Sequence, residues 1–246
     1  MRLLTDTLEK AVALIFPNRC LVCEKITPLK YFCNDCLPAP ELIGLKTCKK
    51  CGLLIKDCSC KFNFYYFDSI ISCLEADEKC KEAFYAYKFY GNVTGSRFFY
   101  EKMAQRIKED YQDLKIDIVT FVPSHKSSVN ERGFDQVKIL AKGLAKLIKV
   151  KYRPLLCQPK KSQKQHKTVT VDERFRNVEG KYRFCGKSSI KGKTILLVDD
   201  IKTTGATLSQ CAKELKLSGA EKVVVITALT VYPKNKDKEK QTVEKK

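Results

Sequence analysis

Thr194-Ile-Leu-Leu-Val-Asp-Asp-Ile-Lys-Thr-Thr-Gly-Ala-Thr207 says more about the architecture than any other segment of the chain. Its apolar run, Ile195 to Val198, predicts a short strand over Thr194 to Val198, buried on both faces. Two carboxylates, Asp199 and Asp200, follow at its end. The loop Thr203-Thr204-Gly205-Ala206-Thr207 then opens a helix that runs to Leu217, with Gly219 as its stop. Each part has a chemical reason. Successive backbone N–H groups in a Thr/Gly loop at a helix N-terminus form a cradle for phosphate, and the threonine hydroxyls add donors. Gly205 admits a positive φ and a close backbone approach. Adjacent carboxylates at a strand end can accept hydrogen bonds from vicinal hydroxyls and stabilise positive charge that develops beside them. The plainer reading is that Asp200 and Thr203 only cap the helix.

On either side of this segment, the chain alternates strand-like and helix-like stretches. Ile116 to Val122 is an apolar run ended by Pro123. Val137, Leu140, Leu144, Leu147 and Ile148 recur at helical spacing, with Lys138, Lys142, Lys146 and Lys149 on the opposite side. Val223 to Leu229 is a third β-rich run. Upstream, an aromatic stretch from Phe62 to Phe67 leads to a strand ending near Leu74. A helix over Asp77 to Lys88, a break at Gly91 and Gly95, and a helix from about Arg97 to Glu109 follow. This alternation predicts an α/β fold: a parallel sheet flanked by helices. In such sheets ligands bind outside the carboxyl ends of the strands, so the loops after Val122 and Val198 are the ones to watch. Leu3 to Ile15 reads as a first helix stopped by Pro17, Gln158 to Val169 as a polar loop, and Lys234 to Lys246 as a charged tail expected to be disordered.

Eight of the thirteen cysteines fall between Cys20 and Cys60. They form four clusters: Cys20 with Cys23, Cys33 with Cys36, Cys48 with Cys51, and Cys58 with Cys60. Each C-x-x-C turn can bring two thiolates onto one tetrahedral metal. The simplest pairing is one Zn2+ on Cys20, Cys23, Cys33 and Cys36 and a second on Cys48, Cys51, Cys58 and Cys60. An interleaved pairing is open, and an iron–sulfur cluster or redox disulfides are the competing chemistries. Sites closed by four cysteines have no free position, which makes them structural and not catalytic metals. Cys73, Cys80, Cys157, Cys185 and Cys211 read as ordinary small apolar residues. The division expected is a helix and cysteine-rich module over 1–61, an α/β domain over 62–232 and a tail over 233–246.

The formal net charge is +19. Between Pro123 and Lys193, 19 lysines and arginines face 5 aspartates and glutamates, an excess of 14 positive charges. Such a concentration points to a polyanionic partner, phosphate, nucleotide or nucleic acid, against the plainer reading of a lysine-rich solvated surface. No apolar run is long enough to span a membrane and no export signal is visible, so the expected location is cytoplasmic.

The string from Thr194 to Thr207 resembles the phosphoribosyl-diphosphate signature of type I phosphoribosyltransferases. More narrowly, the chain resembles the ComF family, in which that fold follows a cysteine-rich double zinc ribbon. Val122-Pro-Ser-His-Lys126 with Glu131-Arg-Gly-Phe-Asp-Gln136 is similar to the family's Arg-Gly-Phe-Asn-Gln segment, with Asp135 in place of the usual asparagine. Gln165, Arg174 and Asn177 resemble a later element, and Tyr87 to Gly91 another. The resemblance implies that Asp199 and Asp200 hold the ribose hydroxyls and that Thr203, Thr204, Gly205, Ala206 and Thr207 cradle the 5′-phosphate. Pro123, Ser124, Lys126 and Arg132 would contact diphosphate, with Mg2+ bridging diphosphate and ribose oxygens. It also implies a role in DNA uptake during natural transformation, with single-stranded DNA and DNA-uptake or helicase proteins as partners. The aromatic clusters around Phe64, Phe84 and Phe98 would then stack bases. The alternatives are a transferase of nucleotide metabolism with an unidentified acceptor, and a sensor that binds phosphoribosyl diphosphate without turnover.

Overall fold

The computed structural model describes residues 17–28, 31–44, 46–58, 60, 65–90, 93–158, 178 and 180–232. The expected first helix, Phe62, Phe64, Gly91, all of the Gln158–Val169 loop but Gln158 itself, Gln165, His166, Arg174, Asn177 and the charged tail lie outside the described residues.

Among the described residues, seven strands and five α-helices follow in order: β1 (Ser69–Glu75), α1 (Glu78–Tyr90), α2 (Val93–Asp110), β2 (Ile118–Phe121), α3 (Lys126–Arg132), α4 (Gln136–Leu147), β3 (Lys151–Tyr152), β4 (Leu156–Cys157), β5 (Arg183–Phe184), β6 (Thr194–Lys202), α5 (Ala206–Leu217) and β7 (Lys222–Thr230). Five of the strands make one sheet in the order β1-β7-β6-β2-β3, parallel throughout. The short antiparallel pair β4–β5 stands apart.

The continuous apolar runs are strands covered on both faces. On β6 and β7, Leu196, Val198, Val224 and Ile226 face a core filled by α1, α2 and α4 residues such as Phe84, Phe99, Met103, Leu140 and Leu144. Their neighbours Ile195, Leu197, Val223 and Val225 face Leu208, Cys211, Ala212 and Leu215 of α5. The period-2 alternation of the strands thus splits one apolar run between two cores.

Two boundaries differ from expectation in ways that matter. The strand predicted to end at Val198 continues to Lys202, because Asp199, Ile201 and Lys202 pair with Thr227, Leu229 and Thr230 of β7. Asp199 and Asp200 therefore sit inside the strand and inherit its rigidity. The helix expected from Arg97 starts at Val93, and Gly95 lies within it, against Leu21 and Tyr87.

The cysteine-rich segment is joined to the sheet rather than tethered beside it. Leu42 bridges Leu74 of β1, and the Ile43 N–H donates to the Cys73 carbonyl at 2.8 Å. Arg106 of α2 is 1% exposed, and its guanidinium donates to the Ile43 carbonyl at 2.7 Å and the Gly44 carbonyl at 3.2 Å. Truncating it leaves two carbonyls at a buried junction without a charged donor. Arg106→Leu is expected to destabilise by about 2–4 kcal/mol. In a chain of this size that is a fall in Tm of roughly 5–15 °C, read by thermal unfolding of zinc-loaded protein.

Candidate phosphate site and cysteine centres

β2 and β6 lie side by side at the centre of the sheet, yet the chain leaves them in opposite directions. From β2 it goes through α3 and α4 outward to β3; from β6 it goes through α5 to β7 on the other side. The loops diverge and leave a crevice at the carboxyl ends, the place where open parallel sheets bind ligands. Two of the loops singled out in sequence, after Val122 and around Asp199 and Asp200, lie there. Phe121 pairs with Val198, and the Val122 N–H donates to the Val198 carbonyl at 2.9 Å, which sets Pro123 and Ser124 beside Asp199 and Asp200.

One side chain ties the two loops together. Gln136 is 3% exposed, and its Nε2 donates to Asp200 Oδ2 at 2.7 Å. The Gln136 carbonyl in turn accepts from the hydroxyl of fully buried Tyr87 at 2.7 Å. Asp135 caps α4, accepting from the Lys138 N–H at 3.2 Å, and also accepts from the Ser124 hydroxyl at 3.2 Å. Burial first, then the nearby carboxylates of Asp200 and Asp135, push the Tyr87 phenol upward, while Arg132 opposes them. Arg132 closes α3 four residues before Gln136. Two polar atoms in this cluster are buried without a protein partner among the described residues: Arg132 Nε, a donor, and Gln136 Oε1, an acceptor. A ligand presenting both an anionic oxygen and a hydroxyl would satisfy them.

The carboxylate pair is electrostatically loaded. Burial above all, and then the charge of Asp200, hold the Asp199 carboxyl well above the usual carboxylate range. Asp199 Oδ1 accepts the Asp200 N–H at 2.9 Å, and Asp200 Oδ1 accepts the Ile201 N–H at 2.6 Å. Neither aspartate caps α5. Its N-cap is Gly205, in the left-handed region at φ 84°, with no side-chain cap; the Thr204 hydroxyl lies 3.4 Å from the Ala206 N–H. The capping alternative thus finds no support in the geometry, and the first turn of α5 presents its N–H groups to the crevice end of the sheet.

Tyr65 closes the loop from above. Its hydroxyl donates to the Thr204 carbonyl at 3.1 Å, and a Cβ on Gly205 would come within 3.1 Å of its ring. Gly205→Ala therefore meets both backbone strain and the Tyr65 ring. It is expected to destabilise by about 1–2 kcal/mol and to weaken phosphate-ligand affinity together, checked by thermal unfolding and calorimetric titration.

The cysteines group in sequence order. Cys20, Cys23, Cys33 and Cys36 form one set and Cys48, Cys51, Cys58 and Cys60 the other, the ligand sulfurs of each lying within 4.8 Å of one another. Sulfur pairs approach to 3.5 Å (Cys23–Cys33), 3.6 Å (Cys48–Cys60), 3.6 Å (Cys51–Cys58) and 3.3 Å (Cys58–Cys60). A zinc tetrathiolate with Zn–S of about 2.3 Å has S–S edges of about 3.8 Å, so both sets could hold zinc. The turn geometry repeats. The Glu24 N–H donates to the Cys20 carbonyl and the Cys20 N–H to the Lys25 carbonyl; the Gly52 N–H donates to the Cys48 carbonyl and the Cys48 N–H to the Leu53 carbonyl. Glu24 (φ 59°) and Gly52 (φ 74°) take the same left-handed position. Bridges Arg19–Ile26 and Thr47–Leu54 flank the turns. The sequence shows only recurring cysteine pairs; the structure shows the same turn used twice. In each, burial would push the first thiol up, but N–H donors outweigh it. Cys20 is lowered to about 6 by the N–H groups of Cys23, Cys33 and Val22, and Cys48 to about 7 by those of Cys51 and Lys50 with help from Cys58 and Cys60.

Other expectations fared unevenly. Cys73, Cys80 and Cys211 are buried as small apolar residues, but Cys185 is exposed, and half-buried Cys157 donates its thiol to the Arg183 carbonyl at 3.7 Å. Most of the aromatics proposed to stack bases are core: Phe84, Tyr87, Phe98 and Phe99 are buried, while Tyr66 and Tyr85 are exposed. His125 caps α3, its Nδ1 accepting from the Ser127 N–H. Lys126 opens α3 with its side chain exposed, and Lys138, Lys142, Lys146 and Lys149 are exposed along and just beyond α4. Among the described residues no helix is long and apolar enough to cross a membrane.

Comparison with known proteins agrees with this geometry. A family model described as phosphoribosyl transferase domain matches residues 94–246. Competence protein ComFC of Streptococcus pneumoniae (strain ATCC BAA-255 / R6) is 26% identical over 203 residues, spanning 78% of this chain and 84% of the relative. Competence protein ComFC of Bacillus subtilis (strain 168) is 26% identical over 207 residues, spanning 79% and 81%. Among solved structures, the glutamine phosphoribosylpyrophosphate amidotransferase from B. subtilis, complexed with ADP and GMP, aligns at 23% identity and a TM-score of 0.38. That alignment covers 58% of this chain and 30% of the amidotransferase chain. With its β2–β6 crevice, its loop at the start of α5 and a family match over more than half its length, the chain belongs to the phosphoribosyl transferase domain family and resembles the competence proteins ComFC.

Proposed function

We propose that this chain binds phosphoribosyl diphosphate with Mg2+ at the β2–β6 crevice and acts in the cytoplasm in the uptake or handling of DNA, as a competence-type protein. Asp199 and Asp200 accept the ribose hydroxyls, and Thr203 to Thr207 cradle the 5′-phosphate through backbone N–H groups. Pro123, Ser124, Lys126 and Arg132 flank the diphosphate. Hard carboxylate oxygens suit Mg2+, which when bound would neutralise charge on the diphosphate. The observation that carries this reading is the Gln136–Asp200 bond at 2.7 Å, which joins the two loops while leaving Arg132 Nε and Gln136 Oε1 buried and unpaired at the junction. In this reading residues 1–61 are a metal-held support, 62–232 the ligand-binding domain and 233–246 a basic tail. The exposed lysines Lys138, Lys142, Lys146 and Lys149 are the track for single-stranded DNA, and with most candidate aromatics in the core that contact is mainly to phosphates.

Calorimetric titration of phosphoribosyl diphosphate into zinc-loaded protein, with and without Mg2+ and with and without single-stranded DNA, tests it. Saturable, Mg2+-dependent binding is expected. Folded, zinc-loaded protein that takes up no ligand would sink the phosphoribosyl reading. Diphosphate released on adding a candidate acceptor would show turnover and favour the transferase alternative. DNA affinity that is flat with salt would remove the lysine track.

A further inference from the structure

Thr204 and Gly205 lead into α5, and the peptide between them is trans, so its carbonyl and its N–H point in opposite directions. The Tyr65 hydroxyl donates to the Thr204 carbonyl at 3.1 Å. The Gly205 N–H is thereby turned to the side away from that hydroxyl. Gly205 is the N-cap of α5, and the helix itself supplies no acceptor for an N–H in that position. Nothing in the backbone of Gly205 keeps this orientation. A flip of the peptide would carry its φ from 84° to a negative value, which glycine adopts as readily. For a bound phosphate the difference is one of sign: the flip puts the Thr204 carbonyl oxygen, an acceptor, where the N–H donor had been.

Tyr65 is held firmly enough to choose between the two. Its ring stacks on buried Phe67, with centroids 4.8 Å apart and planes 18° from parallel. The Tyr66 N–H donates to Oγ of buried Ser209, in the first turn of α5, at 3.1 Å. Asp68 exchanges two bonds with Val223 of β7: its N–H donates to the Val223 carbonyl at 2.9 Å, and its Oδ2 accepts the Val223 N–H at 2.7 Å. Residues 65–68 thus run from the start of β7 to the turn and are pinned at both. A Cβ on Gly205 would also come within 3.1 Å of the Tyr65 ring. That contact favours a glycine at 205, and with the glycine comes a freedom to flip that the hydroxyl removes.

We propose that Tyr65 is a positioning residue for the anion site: its hydroxyl holds the Thr204–Gly205 peptide so that the Gly205 N–H, and not the Thr204 carbonyl, is presented to bound phosphate. The effect on ligand rests on the phosphoribosyl reading above; the orientation of the peptide does not. Tyr65→Phe keeps the ring, its stacking on Phe67 and its contact with Gly205, and removes only the donor. The released peptide divides between two orientations, one of which repels the ligand.

The test uses full-length, zinc-loaded wild type and Tyr65→Phe, labelled with nitrogen-15 at glycine alone, which reduces the amide spectrum to the 11 glycines. The resonance missing from Gly205→Ala identifies Gly205. In wild type, phosphoribosyl diphosphate with Mg2+ is expected to move the Gly205 amide downfield, as an N–H that donates to an anion moves. In ligand-free Tyr65→Phe the Gly205 resonance is expected to broaden or double as the two orientations exchange, while Gly44, Gly143 and Gly219 keep single sharp lines. The calorimetric Kd of Tyr65→Phe is expected to rise about 3–10-fold, the worth of one neutral hydrogen bond. A single sharp Gly205 line in Tyr65→Phe, an affinity equal to that of wild type, or equal broadening at Gly44, Gly143 and Gly219 overturns the proposal. Ligand that binds wild type by calorimetry yet leaves the Gly205 amide in place overturns it too, an arm that stands even if Tyr65→Phe does not fold. Absence of any calorimetric binding overturns the function proposed above, and the hold on the peptide is then decided by the ligand-free spectra.

Discussion

Asp199→Asn/Asp200→Asn is expected to lose at least about 100-fold in affinity for phosphoribosyl diphosphate with Mg2+, because each carboxylate removes a charged hydrogen-bond acceptor worth about 1.5–3 kcal/mol. The same variant is expected to melt above wild type in the absence of ligand. The sign follows from linkage. The Asp199 carboxyl is held well above its ordinary range by burial and by Asp200, so the folded chain keeps a proton that the unfolded chain has released. Stability then falls as pH rises from the ordinary carboxylate pKa of about 4 upward, and the neutral amide escapes that penalty. The fold tolerates the second change because Gln136 can turn its amide: Oε1, unpaired in the wild type, would accept from the amide introduced at position 200, where Nε2 now donates to Asp200. Scanning calorimetry of wild type, Asp199→Asn and the double variant from pH 5 to pH 9 checks this. A wild-type Tm that rises across that range relative to Asp199→Asn would contradict the buried-charge account. Ligand affinity should move the other way, strengthening with pH as Asp199 becomes ionised.

Stripping zinc is the second large effect. Removal by a high-affinity chelator is expected to lower Tm by more than Arg106→Leu does, since structural zinc sites contribute apparent binding energies of about 10–16 kcal/mol in zinc-finger peptides. The first cysteine set is part of the main core, not an appendage: Cys20, Leu21, Phe32 and Cys33 are buried with Phe98, Phe99 and Tyr87. Its loss exposes the outer surface of α2. Zinc uptake must also release protons at neutral pH. Cys36 is pushed up to about 12 by burial and its neighbouring thiols, and Cys51 to about 11 by burial above all, so both are protonated before the metal arrives; Cys20, lowered to about 6, is largely ionised already, and Cys48, lowered to about 7, is about half ionised. Affinity for zinc should therefore fall steadily on acidification from pH 8 to pH 6. Calorimetry in buffers of different ionisation enthalpy measures the protons released, and a value near zero would contradict the thiol assignments.

Much of this was readable from local pattern. Ile195 to Val198 and Val223 to Leu229 are strands because unbroken apolar runs suit a sheet covered on both faces, and α4 follows from the spacing of Val137, Leu140 and Leu144. The turn into α5, with Gly205 at φ 84°, was legible because a glycine in that position has a local conformational reason. The basic track along α4 was equally visible as a one-sided run of lysines. Aromatic clusters misled for the converse reason: Phe84, Tyr87, Phe98 and Phe99 look alike in sequence whether they stack bases or fill a core, and only burial separates the two.

Residue spacing was enough to specify the parallel α/β architecture, the two cysteine sets as candidate metal sites and the strand–loop–helix where phosphate would bind, since each of these is written over a span shorter than a helix or a loop. Contacts between distant segments came from the folded chain and from nowhere else. Folding joined Gln136 to Asp200 across 64 positions of sequence and set Tyr65 over the glycine of the Thr203–Thr207 loop. The reason is physical. Periodicity and turn chemistry act over a few residues, whereas the partner of a buried charge is whatever the folded sheet brings within a few ångströms of it.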